Sequence, residues 1–455
     1  MTDKEVKTVK KIFIVFIMLI MLTALCSCLY EPDDIDPFTA SGQDNDSLTI
    51  MYNYMSDTVN ECVGSASRIF RDEHAGIKLN TYQGLTQDVF NSDAGYDLFE
   101  EKLAADMMAG KGPDLLILGD NYIFRDSIYK KMDAGVFYDL NKLIDHDEGF
   151  NSDLYLENAM KSGLYQGKRY FIPVSYNVPI FITTEEKMRD YNLLDDMLLS
   201  YESLIDSWGE VQTRGGQFLG INYPWFILGY TGWLSECVDL EKKEVCLDTP
   251  AFERFMEVLR YEEKKNSAKP DSEKWASTIE EFIEYREKLF LPALYASTSA
   301  FFLTSAAANG DTIKIYAVPD AFGEITAFID CYVLISTSSK NLQNAWDYIE
   351  ILLDEHIQKN ILNIKTASIG VNKEYIDGNI DNNFSEWEGK FRTQTSVEMK
   401  IRIKDYYHNF DHAVILGNPI GNMVYGNMVG YINLDKSFYD TKFEFNNYLN
   451  IWLSE

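Results

Sequence analysis

One stretch of the sequence carries oxygen-bearing side chains at the spacing of a calcium-binding loop. Between residues 377 and 388, carboxylate, amide and hydroxyl groups stand at positions 1, 3, 5, 7, 9 and 12, the ligand positions of an EF-hand. The candidate ligands are Asp377, Asn379, Asp381, Asn383 and Glu388. Position 6 is Asn382, where such loops normally require glycine. We interpret the segment as a polar surface loop with a structural Ca²⁺ site as the alternative, and we expect no other cofactor.

Residues that could carry catalysis are sparse. His408 and His412 are four residues apart, so on a helix both imidazoles would face one side. A zinc protease of this kind would need a glutamate in place of Asp411 and a third ligand. No serine or cysteine lies in a nucleophile-elbow motif, and the sequence has no P-loop. We expect a protein without enzymatic activity. A surface glycoside hydrolase is the alternative, because its carboxylate pair has no fixed sequence spacing.

The charge balance argues against a polyanionic partner. The chain of 455 residues has 71 acidic and 41 basic side chains, which gives a formal net charge of −30. Nucleic-acid binding depends on an extended basic face that neutralises phosphates, so we expect no nucleic acid as a partner. Because 46% of the residues are apolar, the chain can build more than one core, and two domains are expected.

The six cysteines do not form the framework of a small disulfide-rich fold, and they lack the paired spacing of a zinc site. Cys237 and Cys246 flank residues 238–245, which have the pattern of a hairpin in which the two thiols could face each other. The sequence is compatible with a disulfide between these two cysteines and with two unpaired thiols. Cys62 and Cys331 are interpreted as core residues.

The N-terminus has the pattern of a secretion signal. Four lysines precede an apolar run at residues 12–22, and small residues follow it. The run is shorter than the hydrocarbon core of a bilayer, so a permanent membrane span is the weaker alternative. Residues 25–28 (LCSC) resemble the lipobox of bacterial lipoproteins, which implies that Cys28 is the lipidated residue. We therefore predict a signal peptide at residues 1–27 and a lipid anchor on the outer face of the cell membrane.

The elements that must position any site alternate between strand and helix. Residues 28–47 are rich in Asp, Pro, Ser and Gly and are predicted to be a flexible tether. Strands are predicted at residues 48–52, 77–82 and 114–118, with helices at about 58–73 and 96–108 between them. Strand, helix and strand in this order indicate βαβ units and an α/β fold.

Six short motifs follow in order behind the tether. They are AGKGPDLL at residues 109–116, FYDL at 137–140, YQGKRYFIPV at 165–174, LDTPAF at 247–252, AVP at 317–319 and SKNLQNAWDYI at 339–349. Together they resemble motifs of the extracellular solute-binding proteins of bacterial ABC importers, the family that includes the maltose-binding proteins. The resemblance covers about residues 48–365 and does not extend beyond Gly370.

That resemblance implies an α/β fold of the two-lobe, periplasmic-binding-protein-like type (class II), with a ligand cleft between the lobes. By analogy, lobe 1 comprises residues 48–177 and 327–385, and lobe 2 comprises residues 178–326 and 386–455. The chain would cross first near residues 172–182 and return near residues 327–335. Ligand contacts that form from both lobes only in the closed state would shift the population toward closure.

In such a fold the cleft is lined by residues at the carboxyl ends of strands. The candidates from this rule are Gly119, Asp120, Asn121 and Tyr122 after the third strand, and Ser175, Tyr176 and Asn177 at the first crossing. A helix N-cap is the alternative role for the first group, and a bend or a hinge hydrogen bond is the alternative for the second.

Aromatic residues supply further candidates. The segment Tyr223-Pro224-Trp225 is similar to a Glu-Pro-Tyr site of maltose-binding proteins, so the resemblance implies that Trp225 stacks on a sugar. Tyr223 departs from the acidic residue of that pattern. Trp233 is a second aromatic candidate, although core packing is favoured there. The remaining candidates are Ser297, Ser299, Asp330 and Tyr332.

The predicted ligand is a carbohydrate. Aromatic residues make up 14% of the chain, and aromatic faces suit the apolar patches of pyranose rings. A neutral sugar is also indifferent to the negative field of the protein, whereas a cationic solute such as a polyamine or peptide is the competing interpretation. The resemblance further implies the membrane subunits of an ABC permease as partners, and we expect a monomer.

Overall fold

The computed structural model describes residues 46–53, 56–84, 93–119, 123–124, 128–193, 201–219, 238–239, 242, 244–245, 250–267, 288–293, 312–319, 324–362, 368–391, 396–415, 430–431 and 436–454. Its strands are β1 Ser47–Tyr52, β2 Lys78–Gln83, β3 Leu115–Leu118, β4 Leu164–Tyr165, β5 Lys168–Arg169, β6 Ile172–Asn177, β7 Ile180–Thr184, β8 Gln217–Leu219, β9 Val238–Asp239, β10 Glu244–Val245, β11 Lys288–Ala293, β12 Ile313–Ala317, β13 Thr326–Ile335, β14 Ile369–Gly370 and β15 His412–Ile415.

The helices alternate with these strands along the chain. They are α1 Asp57–Glu73, α2 Asp93–Met108, α3 Ile128–Asp133, α4 Asn141–His146, α5 Glu157–Lys161, α6 Glu185–Asp190, α7 Tyr201–Thr213, α8 Pro250–Ser267, α9 Leu342–Leu353, α10 Lys373–Phe391, α11 Val397–His408 and α12 Phe438–Ser454. A π-helical turn spans His356–Ile361. Within the described ranges, no helix combines the length and the apolar character that a membrane span requires.

The first sheet has seven strands in the order β14-β6-β13-β3-β1-β2, with β15 also paired to β13. β1 pairs in parallel with both β2 and β3, which makes the βαβ units that the sequence predicts. The four residues of β3 are all buried, as expected of a parallel strand covered on both faces. The three predicted strands and the two predicted helices are thereby confirmed.

α1 forms because its ends and its apolar residues agree with a helix. Ser56 is the N-cap, and its Oγ accepts a hydrogen bond from the backbone N–H of Val59 at 3.3 Å. The apolar face of α1 is buried, and the ring of Phe70 packs 5.6 Å from that of Tyr348 on α9. The N-terminus of α1 is thus fixed beside the carboxyl ends of β1 and β3.

The second sheet has four strands in the order β12-β7-β11-β8. The chain leaves the first sheet at the end of β6, passes Val178 and Pro179, and enters the second sheet as β7. It returns between β12 and β13. The two passages are bonded to each other, because the N–H of Val318 donates to the carbonyl of Pro179 at 3.2 Å.

The C-terminal part of the chain adds one strand to the first sheet. β15 pairs in parallel with β13 in the first sheet, so the assignment of all of residues 386–455 to lobe 2 is wrong for this strand. The sequence gives no clue to this pairing, which joins residues far apart in the chain. The ring of Phe438 at the start of α12 lies 6.0 Å from that of Phe252 on α8, and Nζ of Lys130 on α3 lies 5.7 Å from the centre of the Trp452 ring near the end of α12. The other predicted domain limits stay predictions.

The hairpin predicted at residues 238–245 is confirmed. β9 and β10 are antiparallel, with Val238 opposite Val245 and Asp239 opposite Glu244. Cys237 and Cys246 lie outside the described residues. Cys62 and Cys331 are buried in the first core, as predicted.

Candidate ligand cleft

The carboxyl ends of β1 and β3 meet the two crossing strands at one edge of the first sheet. Asn53 follows β1 directly and is fully buried. Its Nδ2 donates to the carbonyl of Gly119, which follows β3, at 2.8 Å. Polar groups at this edge are therefore placed by strand ends, as in clefts between α/β lobes.

Gly119 allows three elements to approach one another closely. A Cβ atom at this position would lie 2.5 Å from the carbonyl oxygen of Asp330 and 2.8 Å from Cγ2 of Val59. It would also lie 2.9 Å from Oγ of Ser56. Only glycine therefore lets the end of β3, the start of α1 and the backbone of β13 come together here.

Asp330 sits at an irregularity in the pairing of the crossing strands. Ile329 pairs with Tyr176 and Cys331 pairs with Ser175, so Asp330 is the extra residue of a β-bulge. Its carboxylate accepts hydrogen bonds from Oγ of Ser175 and from Nδ2 of Asn177, the latter at 2.8 Å. The bulge thus turns one carboxylate onto two donors of the partner strand.

A third donor reaches Asp330 from another segment. Oγ of Ser368, just before β14, donates to Oδ2 of Asp330. The hydroxyls of Ser368 and Thr58 are 2.9 Å apart. Because Ser368 has one hydroxyl proton and gives it to the carboxylate, Thr58 must be the donor to Ser368. A directed chain therefore runs from the first turn of α1 to Asp330.

Burial controls the ionisation of this carboxylate. Asp330 is only 3% exposed, and burial raises its pKa to about 6 even though the hydrogen bonds from Ser175, Ser368 and Asn177 act in the opposite direction. Asn177 also accepts a hydrogen bond from the hydroxyl of Tyr407, at 3.3 Å. The network thereby extends from both crossing strands to the end of α11.

The structure brings three of the predicted ligand residues together and gives them partners within the protein. Ser175, Asn177 and Asp330 form the network just described, so the predicted hinge hydrogen bond at the first crossing is present. Their contact with a ligand stays a prediction. Eight of the predicted site residues lie outside the described part of the chain: Cys28, Asp120, Asn121, Tyr122, Trp225, Trp233, Ser297 and Ser299.

Two other candidates are buried in aromatic clusters. Tyr176 is fully buried, and its hydroxyl donates to the carbonyl of Tyr407 at 2.7 Å. Its ring also lies 5.1 Å from that of Phe410. Tyr332 is fully buried against the ring of Phe171, at 5.0 Å. Both tyrosines thus pack the first core, where no solvent reaches them.

The calcium-loop interpretation is wrong, because all of residues 377–388 lie inside the continuous helix α10. The spacing of the EF-hand ligands also fits a helix, because residues four positions apart lie on the same helical face. Asp377 and Asp381 therefore share one face, and Asn379 and Asn383 share another. Asn379 and Asn383 face the interior, and Nδ2 of Asn379 donates to the carbonyl of Gln358 at 2.8 Å. The outer residues bond to α11: the pairs are Asp377 with His408 at 3.0 Å, Asp381 with Lys404 at 2.8 Å and Glu388 with Lys400 at 2.9 Å.

His408 and His412 do not share a helical face. His408 is the last residue of α11, whereas His412 begins β15 and bonds to Glu324. Across the described residues, no group of three or more His, Cys, Asp or Glu side chains is arranged to hold a metal ion.

Sequence reasoning missed Asn53, Thr58 and Ser368, whereas the strand-end rule did indicate Gly119. The rule about carboxyl ends of strands could have found Asn53, because it follows the predicted first strand as Asp120 follows the third. Nothing local marks Thr58 or Ser368, since their importance comes from a contact between segments 310 positions apart in the chain.

Comparison with known proteins identifies the architecture. The family described as bacterial extracellular solute-binding protein matches residues 82–391, about two thirds of the chain. No curated protein sequence matches. Among solved structures, the chain is similar to an ABC substrate-binding protein from Listeria monocytogenes in complex with cycloalternan, with TM-score 0.58 and 11% identity over 90% of this chain and 100% of that one.

Two further solved structures have the same fold. The GacH receptor of Streptomyces glaucescens, studied unliganded and with acarbose, gives TM-score 0.57 and 13% identity over 90% of this chain and 99% of that one. The cyclic α-maltosyl-1,6-maltose binding protein of Arthrobacter globiformis gives TM-score 0.56 and 14% identity over 90% and 98%. The predicted two-lobe α/β fold is confirmed, and the chain belongs to the bacterial extracellular solute-binding proteins.

Proposed function

We propose that this protein binds a sugar or oligosaccharide between its two lobes and delivers it to an ABC permease. The observation that carries the proposal is the pair of sheets joined by crossing strands, with polar strand ends gathered at the crossing. Solved proteins of this architecture are described with acarbose, cycloalternan and raffinose. A neutral ligand also avoids any electrostatic penalty from the net charge of −30.

Delivery requires the protein to stay near the membrane. In this proposal Cys28 carries the lipid, the residues between Cys28 and β1 act as the tether, and a monomer engages the permease subunits. Labelling cells with a fatty-acid analogue tests the anchor. The wild-type chain should be labelled and fractionate with membranes, and Cys28→Ser should lose both properties. Equal labelling of the two chains would remove Cys28 from the proposal.

A thermal-shift screen tests the ligand class. The panel contains acarbose, raffinose and linear maltooligosaccharides, with spermidine and a basic tripeptide as the cationic arm. A ligand at 100 times its Kd stabilises a binding protein by about 2.7 kcal/mol, which such a screen detects. A shift with a sugar supports the proposal, whereas a shift with only the cationic compounds replaces carbohydrate by a cationic solute.

Binding without chemistry is part of the same proposal. After prolonged incubation, chromatography of the bound sugar should recover the compound unchanged. Release of shorter sugars would instead favour a surface glycoside hydrolase.

A further inference from the structure

The carboxylate of Asp330 is buried between β13 and β6, the two strands at which the chain crosses between the sheets. It receives its three side-chain hydrogen bonds from two segments other than its own strand, namely β6 and the residue before β14. One of these donors, Asn177, is the last residue of β6 before the chain crosses to the second sheet. The strength of this contact therefore affects how freely the crossing can move.

Among the described residues, the side chains that donate hydrogen bonds to Asp330 are neutral. The titratable neighbours that share its field are Cys331 on its own strand and Tyr407 on α11. A hydrogen bond with Cys62 on α1 and burial raise the pKa of Cys331, and burial raises that of Tyr407, so both stay neutral between pH 5 and 8. The donors from β6 are the hydroxyl of Ser175 and the amide of Asn177, and the donor before β14 is the hydroxyl of Ser368.

Two opposed effects act on the ionisation of this buried carboxylate, namely the hydrogen bonds that it accepts and the loss of its hydration. Three donors favour the ionised form, but loss of water disfavours it more strongly, as the raised pKa indicates. Any opening of the crossing that admits water relieves this penalty only when Asp330 is ionised. By linkage, protons therefore favour the state in which Asp330 is buried.

We propose that Asp330 is a positioning residue of the hinge: the packed arrangement of β6 and β13 around it is more stable when its carboxyl group is neutral than when it is ionised. The hinge would consequently be looser at neutral pH, where ligand exchange needs motion, and stiffer in acid. This inference goes beyond the proposed function because it concerns the hinge whatever the ligand is.

Hydrogen exchange of the ligand-free protein, followed by mass spectrometry, tests the inference. Labelling times are scaled for the intrinsic effect of pH on exchange. With an ordinary carboxyl pKa in the opened state, opening of residues 172–182 and 326–335 should be about tenfold more frequent near pH 8 than near pH 5. β2, at the far edge of the first sheet, should show no such difference.

Variants separate the charge from the fold. Asp330→Asn should remove the pH dependence at the hinge, and Asp114→Asn should retain it. Asp114 is the matched control because it accepts bonds from Thr49 and Ser339 at the opposite end of β3. Wild-type exchange that is independent of pH would overturn the proposal, as would an Asp330→Asn profile identical to wild type.

If Asp330→Asn does not fold, Asn177→Ala takes its place. Removing one donor to the carboxylate should increase hinge opening more near pH 8 than near pH 5, since the donor stabilises the ionised form. An equal increase at both pH values would overturn the proposal. Because no ligand is present, failure here leaves the proposed sugar binding intact, and failure of the sugar screen leaves the hinge result intact.

Discussion

Gly119 and Asp330 are packed so closely that a single added methyl group would collide with the backbone. A Cβ on Gly119 would lie 2.5 Å from the carbonyl oxygen of Asp330, which belongs to a strand and cannot swing away. The end of β3 is thereby joined to the crossing strand β13 without any intervening side chain. The cleft edge and the hinge are consequently one structural unit.

Gly119→Ala should therefore destabilise the protein by about 1–3 kcal/mol, the usual cost of overpacking a well-filled site. Urea unfolding followed by circular dichroism measures the change. The control is Gly64→Ala on α1, where an added Cβ meets nothing within 4 Å. That variant should gain about 0.5–1 kcal/mol from helix propensity. If Gly119→Ala is as stable as the control, the close packing described here is incorrect.

Ser368→Ala should cost about 1–3 kcal/mol near pH 8, because it leaves a buried carboxylate with one donor fewer. The cost should be smaller near pH 5. The folded pKa of Asp330 is about 6, above its ordinary value of 3.8, so in acid the group is neutral and needs the donor less.

Unfolding free energies at both pH values check this prediction for Ser368. Ser162→Ala serves as control, since Oγ of Ser162 donates to the neutral carbonyl of Ala159. Its effect should be the same at the two pH values. A Ser368→Ala cost that does not change with pH would mean that the hydroxyl does not act on the charge of Asp330.

Glu350→Gln should raise the melting temperature above pH 7 and leave it unchanged near pH 5. Burial and the nearby charge of Asp147 raise the pKa of Glu350 to about 7, so this group contributes most to stability below its unfolded value of 4.5 and loses that contribution as pH rises through 7. Gln keeps a donor toward Asp147, which also accepts from Nε1 of Trp346 at 2.8 Å.

Calorimetry of the Glu350 variant at the two pH values is the measurement. Glu355→Gln is the comparison, because Glu355 forms an exposed pair with Lys359 at 2.9 Å and such pairs contribute little. Equal shifts at both pH values would indicate that Glu350 is already ionised in acid.

Trp225→Ala should weaken the affinity for a sugar found in the screen by about 1–3 kcal/mol if the ring stacks on the ligand. Isothermal titration with the wild type and the variant measures this. Trp233→Ala is the counterpart, since core packing is favoured for Trp233 and its loss should lower stability more than affinity. Unchanged affinity in Trp225→Ala would remove that residue from the site.

The sequence patterns predict the first βαβ units well, because those units depend on local periodicity. The apolar run of β3 and the spacing of α1 are visible in single segments. The bulge at Asp330 and the contact of Ser368 with Thr58 are not, since both arise from pairing between distant segments. The EF-hand pattern in α10 was misleading because polar residues four positions apart, such as Asp377 and Asp381, occur both in such a loop and on one face of a helix.

The central claim is that two lobes close around a solute. Small-angle X-ray scattering of the protein with and without a saturating ligand from the screen tests it most directly. We expect the radius of gyration to fall on binding, and the recovered ligand to be chemically unchanged. An identical scattering profile in the two states, with binding verified by calorimetry on the same sample, would contradict closure around the ligand.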